Sequence, residues 1–439
     1  MKTGTKIFGA AVLAATALLA AVPWLLPAGA WIPRIEEEAA KRLGVPVKIG
    51  GLTLSILPLP HLSVSALDIS SGAITAQSIA VYPRLLTLFS DIRVIRVIEL
   101  NHVAVTRKGA DWAAALAGKP GGGGGALVIE QIRAANLQVE LAAGRLPPLH
   151  AEIDLSRAAA LPVARALITT VDAKATLKLE PDASEWKLTF DATDWQLPLG
   201  PPLRFTALKG AGRLKGSRLT MSELTAALYG GTLNGKADLS WEKTWKLTGE
   251  VKLAGLDILP ATQALKVKSA LSGKLDASGP FNAQSAKPAG LADAFNADIG
   301  FKVNNGVLQG FDLAAAAKNL LKGGGGGSTQ FDELSGRLKV TARAYKLSGV
   351  RVTSGVLKAE GNVDISAAKQ LNGRIDTELK GTGGLVGVPL AVSGTLDNPV
   401  LLPTKGSMFG AAVGTVLLPG VGTSVGSSGG DRLGKLFGK

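Results

Sequence analysis

Little in this sequence could do covalent chemistry. Its three histidines, His61, His102 and His150, stand far apart. None sits in a His-x-His or His-Glu-x-x-His pattern that would gather ligands round a metal. The chain has no cysteine, hence no thiolate nucleophile and no disulfide. Acidic side chains cluster at Glu36, Glu37 and Glu38 and at Asp332 and Glu333. The first run has no histidine nearby and suits a solvated helix face; the second suits a turn. Neither supplies an opposed acid and base. Two glycine tracts, 121–125 and 323–327, lack the Lys-Ser/Thr that follows a phosphate-cradling loop, and read as flexible linkers. No enzyme activity and no cofactor are expected. The chemistry that does recur is burial of aliphatic side chains on one face of a strand.

Leu52, Leu54 and Ile56 alternate with Thr53 and Ser55, and Leu62 and Val64 alternate with Ser63 and Ser65. Period two marks a strand with one apolar face. Near Ala66 the phase slips, so that Leu67 and Ile69 carry the pattern, which reads as a β-bulge. Pro58 and Pro60 read as a corner or an edge. The same period governs Leu338, Val340, Ala342 and Ala344, and again Leu357, Ala359, Gly361, Val363 and Ile365. Asn-Asn-Gly, Leu-Asn-Gly and Thr-Ser-Gly tripeptides read as the turns between runs. Short helices are expected at residues 83–91 and within "LPATQALKVKSA" and "FDLAAAAKNLLKG". The fold class expected is therefore mainly β: a long, curled antiparallel sheet with a few short helices.

Composition agrees. The chain has 439 residues, 46% of them hydrophobic but only 5% aromatic, so any core is built from aliphatics. The net charge is +14. The cations are spread over alternate strand positions, as in "GRLKVTARAYKLSG", and do not form runs. With no recognition-helix pattern, zinc-finger spacing or aromatic stacking platform, nucleic acid is not an expected partner.

Lys2 and Lys6 precede Ile7 to Leu26, twenty residues without a charge. That is the length of a membrane span of about 20 residues. Its anchoring side chains would be Ile7, Phe8, Val12, Leu13, Leu18, Leu19, Val22, Trp24, Leu25 and Leu26, with Trp31 at the far interface. The positive start puts the N-terminus in the cytoplasm and the body across the membrane. The alternative is a signal peptide cleaved after Ala30, at the small-x-small "AGA", but the apolar stretch exceeds the usual 7–15 or so residues. "IPRIEEEAAKRLG" follows as an amphipathic helix, with Pro33 in its first turn, Ile32, Ile35, Ala39 and Leu43 on one face, and Gly44 as cap. It could lie on the membrane or plug the first end of the sheet.

These features divide the chain into an anchor (1–31), an N-terminal module (32–118), a glycine linker (119–126), a middle sheet region (127–322), a second linker (323–328), a C-terminal β module (329–404) and a tail (405–439). In the tail, "MFGAAVGTVLLPGVG" is too short to span a membrane. "DRLGKLFGK" sets Leu433, Leu436 and Phe437 beside Lys435, a candidate interfacial end for an anionic lipid surface.

Several phrases together resemble the AsmA family of Gram-negative bacteria. They are the anchor followed by "WIPRIEEEAAKRLGVPVKIGGLTLSILPLPHLSVSALDIS", then "AITAQSIAVYPRLLTLFSDIRVIRVIELNHVAVTRK", then "FDELSGRLKVTARAYKLSGVRVTSGVLKAEGNVDISAAKQLNGRIDTELKG" and "VPLAVSGTLDNPVLLP". The resemblance covers roughly the first and last quarters of the chain. The middle shares only its general β character. The resemblance implies a single-pass inner-membrane anchor, a periplasmic body and a β-groove akin to that of bridge-like lipid transfer proteins. It also implies a role in outer-membrane biogenesis, with phospholipid as ligand and envelope proteins as further partners.

Alternation alone leaves two outcomes open for the apolar face. The sheet can fold onto itself as a sandwich, or the face can stay available to an apolar ligand such as an acyl chain. Leu338, Val340, Val352, Leu357 and Val363 are the candidate groove-lining residues. The rival functional reading is a non-enzymatic scaffold or regulator of outer-membrane protein assembly, which predicts a closed core.

Overall fold

The computed structural model describes residues 28–404, apart from 58, 88–89, 111, 113–126, 142–143, 156–162, 199–201, 266–270, 319–324 and 382–383. The expected anchor, Ile7 to Leu26, and the tail with Leu433, Lys435, Leu436 and Phe437 lie outside the described residues. Among the described residues no helix is long and apolar enough to cross a membrane. The protein is mainly β, with 22 strands in one sheet and few helices. It divides into two compact units, with the boundary between residues 193 and 201.

The first unit opens with a 3-10 turn at Ala28–Trp31 and helix α1 at Ile32–Leu43. The local signals act as expected. Pro33 sits in the first turn, and Gly44 closes the helix at φ 70°, its N–H donating to the Ala40 carbonyl. Glu36 accepts a hydrogen bond from the Ile49 amide at 2.7 Å, which ties α1 to the first strand. The strands follow as β1 (Val47–Ser55), β2 (His61–Ile69), β3 (Ile74–Pro83), β4 (Arg93–Val105), β5 (Leu127–Leu141), the two-residue β6 (Gly144–Arg145), β7 (Leu149–Leu155), β8 (Val163–Thr170), β9 (Ala175–Asp182) and β10 (Glu185–Gln196). Every pairing in this unit is antiparallel except β4 with β5, which run parallel. A purely antiparallel meander was expected. Residues 106–126, which include the first glycine tract, supply the long connection that a parallel return requires.

The second unit comprises β11 (Arg204–Lys215), β12 (Arg218–Leu228), β13 (Gly231–Ser240), β14 (Trp245–Asp257), β15 (Leu271–Ser285), β16 (Asn296–Phe311), β17 (Gly325–Thr341), β18 (Ala344–Thr353), β19 (Leu357–Ile365), β20 (Leu371–Gly381), β21 (Gly384–Gly394) and β22 (Pro399–Pro403). Each pairs antiparallel with the next. Helix α2 (Ile258–Ala264) follows β14, and α3 (Leu313–Lys318) follows β16. Both fall in segments expected to be short helices, as does the 3-10 turn Leu85–Thr87.

Four local expectations are corrected. No residue is inserted at the phase slip in β2, because Ile49 pairs with Leu67 and Gly51 with Ser65 in one unbroken register. Ala66 instead adopts φ 50°, which turns the strand without a bulge. Asn304-Asn305-Gly306 does not end a run. Asn305 takes φ 53° inside β16, and pairing with β17 continues on both sides. Asparagine tolerates the left-handed region, and here it bends a strand and does not reverse it. Ala342, expected to continue an alternating run, is at φ 53° in the β17–β18 turn. The second glycine tract, expected as a linker between modules, runs directly into β17, whose first residues pair with Phe311 inside the second unit. True bulges do occur, in the second unit, for example at Gly255 and Gly349.

Candidate functional site

Residues directly opposite in a ladder project to the same face of the sheet, so register can be followed across many strands. In the first unit, Leu54 pairs with Leu62, Leu62 with Val81, Val81 with Ile98 and Ile98 with Ile132. Ile132 then pairs with Ile153, Ile153 with Ala166, Ala166 with Leu179 and Leu179 with Leu188. One row thus crosses nine strands and every member is aliphatic. The row two residues along runs from Leu52 through Val64, Ile79, Leu100, Ala134, Ala151, Ile168 and Leu177 to Phe190. It too is wholly apolar. At about 4.8 Å per strand, each row is about 38 Å long.

Ala166 is buried, and every other side chain in the two rows is half-buried. Neighbouring strands shield their flanks; among the described helical segments of this unit, α1 packs on β1 and the turn at residues 107–110 lies against Ala73 and Ile74. A crease borders the face. Register sets Gly50, Ala66, Gln77, His102 and Asn136 side by side, and Ala66, His102 and Asn136 share φ values of 50°, 52° and 55°. The phase slip at Ala66 is therefore one point on a line that crosses the sheet. Beyond it Leu67, Val103 and Leu137 resume the apolar pattern.

The intervening rows make the opposite face polar. Glu99 and Glu152 flank Arg133 at 3.7 Å each. The same holds in the second unit, where Arg337 bonds Asp298 at 2.6 Å and Lys302 bonds Glu333 at 2.6 Å. The Arg337 hydrogen bond holds the Asp298 carboxyl below the usual carboxylate range, and Lys302 does the same for Glu333. These are exposed cross-strand pairs. They give the alternating cations partners within the sheet.

The second unit has an apolar face of its own, built in a different style. Glycines alternate with large side chains: Gly210 opposite Leu224, Leu224 opposite Gly235, Gly235 opposite Val251. Gly249 shows why. A Cβ there would collide with the Phe281 ring, which lies over the bare backbone.

The five expected groove residues do share this face, but not one environment. Leu338 pairs with Ile299 and Leu347, and Leu347 with Val363, so Leu338 and Val363 fall in one row. Val340 lies in the next row, between Ala297 and Tyr345. These three are half-buried. Val352 and Leu357 are 4% and 1% exposed, in a closed core with Leu313, Ala316 and Ala317 of α3 and with Leu371, Val388, Leu390 and Leu401. They line a core and not an open face. The sheet edge β22 approaches β16 and β17, so this end of the sheet rolls over α3. Asp312 caps the helix through the Ala315 amide at 2.8 Å, and Thr329 receives the Leu313 amide at 3.0 Å.

The histidines are dispersed. His61 donates through Nδ1 to the Leu59 carbonyl at 2.8 Å and packs on Tyr82; His102 lies on the crease; His150 is on the polar face. The aliphatic rows of the first unit were missed as a site because each strand contributes only two members. The signal lies in register, which a single strand does not display.

Residues 203–342, which span β11 to β17, match the model of the AsmA family. The resemblance to that family is borne out over this segment. The match falls mostly where the sequence showed only general β character, and it meets the phrases that first carried the resemblance only at Phe331 to Ala342. No curated protein and no solved structure matches the chain.

Proposed function

We infer, for a chain that carries an AsmA-family segment and whose first unit sets two apolar rows across nine strands, that it binds phospholipid acyl chains along that face. The protein would be anchored in the inner membrane, with its body in the periplasm, and would serve outer-membrane biogenesis by helping to transfer phospholipid. It would do so without enzymatic chemistry. The observation that carries the reading is the pair of aliphatic rows in the first unit, half-buried across nine strands. An acyl chain asks only for apolar surface. Each methylene removed from water contributes about 0.8 kcal/mol with no directional demand. A second reading, a scaffold for outer-membrane protein assembly, is favoured by one feature only: the core under α3 is closed and offers nothing to a lipid.

The test is to extract the full chain with minimal detergent and identify co-purifying lipids by mass spectrometry. Ile132→Asp places a charge in the middle of one row, and Thr189→Asp places the same charge on the polar face. Phospholipid carried by the parent and by Thr189→Asp, and lost from a folded Ile132→Asp, is the expected outcome. A folded parent chain without lipid would sink the reading and turn attention to protein partners.

A further inference from the structure

One end of the first unit carries large apolar side chains that are about half exposed or more. Leu57 and Leu59, in the β1–β2 connection, are 50% and 52% exposed. Leu85, Leu86 and Ile92, in the β3–β4 connection, are 48%, 93% and 54% exposed. The two connections lie at the same end of the sheet, since Leu54 pairs with Leu62 and Leu62 with Val81 near the ends of their strands. Isolated exposed leucines are ordinary, but five on two adjacent loop tips form a patch that water disfavours.

Helix α1 leads back to this same end. Helix α1 joins β1 through only Gly44, Val45 and Pro46, so its C-terminus lies at the start of β1. The 3-10 turn before α1 also packs against β1. The helix therefore runs back along the strand, and Ala28–Trp31 points toward the β1–β2 connection. Trp31, in that turn, is 60% exposed. In the sequence, residues 7–26, twenty without a charge, are separated from Ala28 by Pro27 alone. Cations surround this end. Arg93 and Arg96 at the start of β4 and Arg34 in α1 are exposed, and Arg84 bonds Glu130 at 2.8 Å. The acids nearby in sequence and register are Glu130, Asp91 and the run Glu36–Glu38 in α1, of which Glu36 accepts from the Ile49 amide and Glu37 pairs with Lys41 at 2.9 Å.

We propose that this end of the first unit docks on an anionic lipid bilayer, with Leu57, Leu59, Leu85, Leu86 and Ile92 entering the headgroup–acyl boundary and Trp31 lying at its level. Apolar tips flanked by arginine are the chemistry that such an interface selects. The inference rests on the reading that the protein works at a membrane, but it does not require lipid on the aliphatic face.

The cysteine-free chain makes the test clean. Single-cysteine variants Leu86→Cys, Ile132→Cys and Val356→Cys of the full chain, each carrying a bimane probe, are reconstituted into phosphatidylglycerol-containing vesicles with and without brominated acyl chains. Val356 is 63% exposed in the β18–β19 turn and reports a surface with no assigned contact. Docking predicts strong loss of fluorescence at Leu86 and none at Val356, with the Leu86 loss diminished when Arg93 and Arg96 are both changed to Glu. A Leu86 probe as bright as the Val356 probe overturns the proposal and leaves the exposed end for a protein contact. The Ile132 probe separates the two ideas. Quenching there without quenching at Leu86 leaves lipid binding standing and removes docking; the reverse leaves docking standing alone.

Discussion

The aliphatic face of the first unit and the core beneath α3 in the second are made from the same pattern. Both are successive Leu, Val, Ile and Ala partners on one side of a meander. Ile132, Ile153 and Leu179 end half-buried, whereas Leu357, Leu390 and Leu401 are at most 1% exposed. The difference is a helix of six residues. "LAAAAK" supplies Leu313 as a knob and Ala316 and Ala317 as a flat underside, and the narrow alanine surface lets β20, β21 and β22 close around it. Alternation decides that a face is apolar. What lies above the face decides whether it is a core or a surface, and that depends on elements outside the strands.

Breaking the closed region should have the largest effect. Leu390→Ala is expected to cost about 3–5 kcal/mol, because a fully enclosed site cannot collapse around the lost atoms. Leu179→Ala, on the half-buried face of the first unit, should cost clearly less. Urea denaturation followed by tryptophan fluorescence checks this, with the stacked Trp241 and Trp245 as a probe inside the second unit. Equal losses would dissolve the comparison. Next comes the glycine-tiled part of the second unit. Gly249→Ala drives a methyl into the Phe281 ring and is expected to cost about 1–3 kcal/mol in the same assay.

A smaller effect sharpens the account of the closed core. Thr377, 1% exposed, donates Oγ1–H to the Val388 carbonyl at 2.7 Å. Thr377→Val keeps the shape and should cost about 1 kcal/mol. The smallest change belongs to the polar face, which both regions share. Arg337→Ala should barely move the urea midpoint at neutral pH, as for other exposed pairs. The Asp298 carboxyl is held below its ordinary value, so the pair's contribution is present above the unfolded carboxylate range and is lost as pH falls through the lowered value. Comparing the parent and Arg337→Ala across that acidic window reads the pair directly.

Much of the fold was legible because its signals are local. The amphipathic helix at 32–43 carried its proline, its apolar stripe and its glycine cap, and it formed within those bounds. The strand runs around Leu52, Leu62 and Leu357 followed from period two. What failed was whatever depended on a partner. The Asn-Asn-Gly tripeptide in β16 satisfies the chemistry of a turn, yet pairing on both sides keeps it in a strand. Val352 and Leu357 have the alternation of an open face, yet α3 covers them. The row from Leu54 to Leu188 is invisible strand by strand, because it exists only once nine registers are set.

The pairing scheme also fixes an order of events. Within each unit the longer strands described here pair with their neighbours in sequence, β4 with β5 in parallel, and β5 also reaches past the two-residue β6 to pair with β7. A strand that joins after its sequence neighbour therefore finds the edge it needs already present, and loop closure at each step is short. The chain can zip from its N-terminus, one hairpin at a time, and each added strand becomes the template for the next. The parallel step is where this growth must wait, since β5 has to emerge and travel back along residues 106–126 before β7 has anything to join.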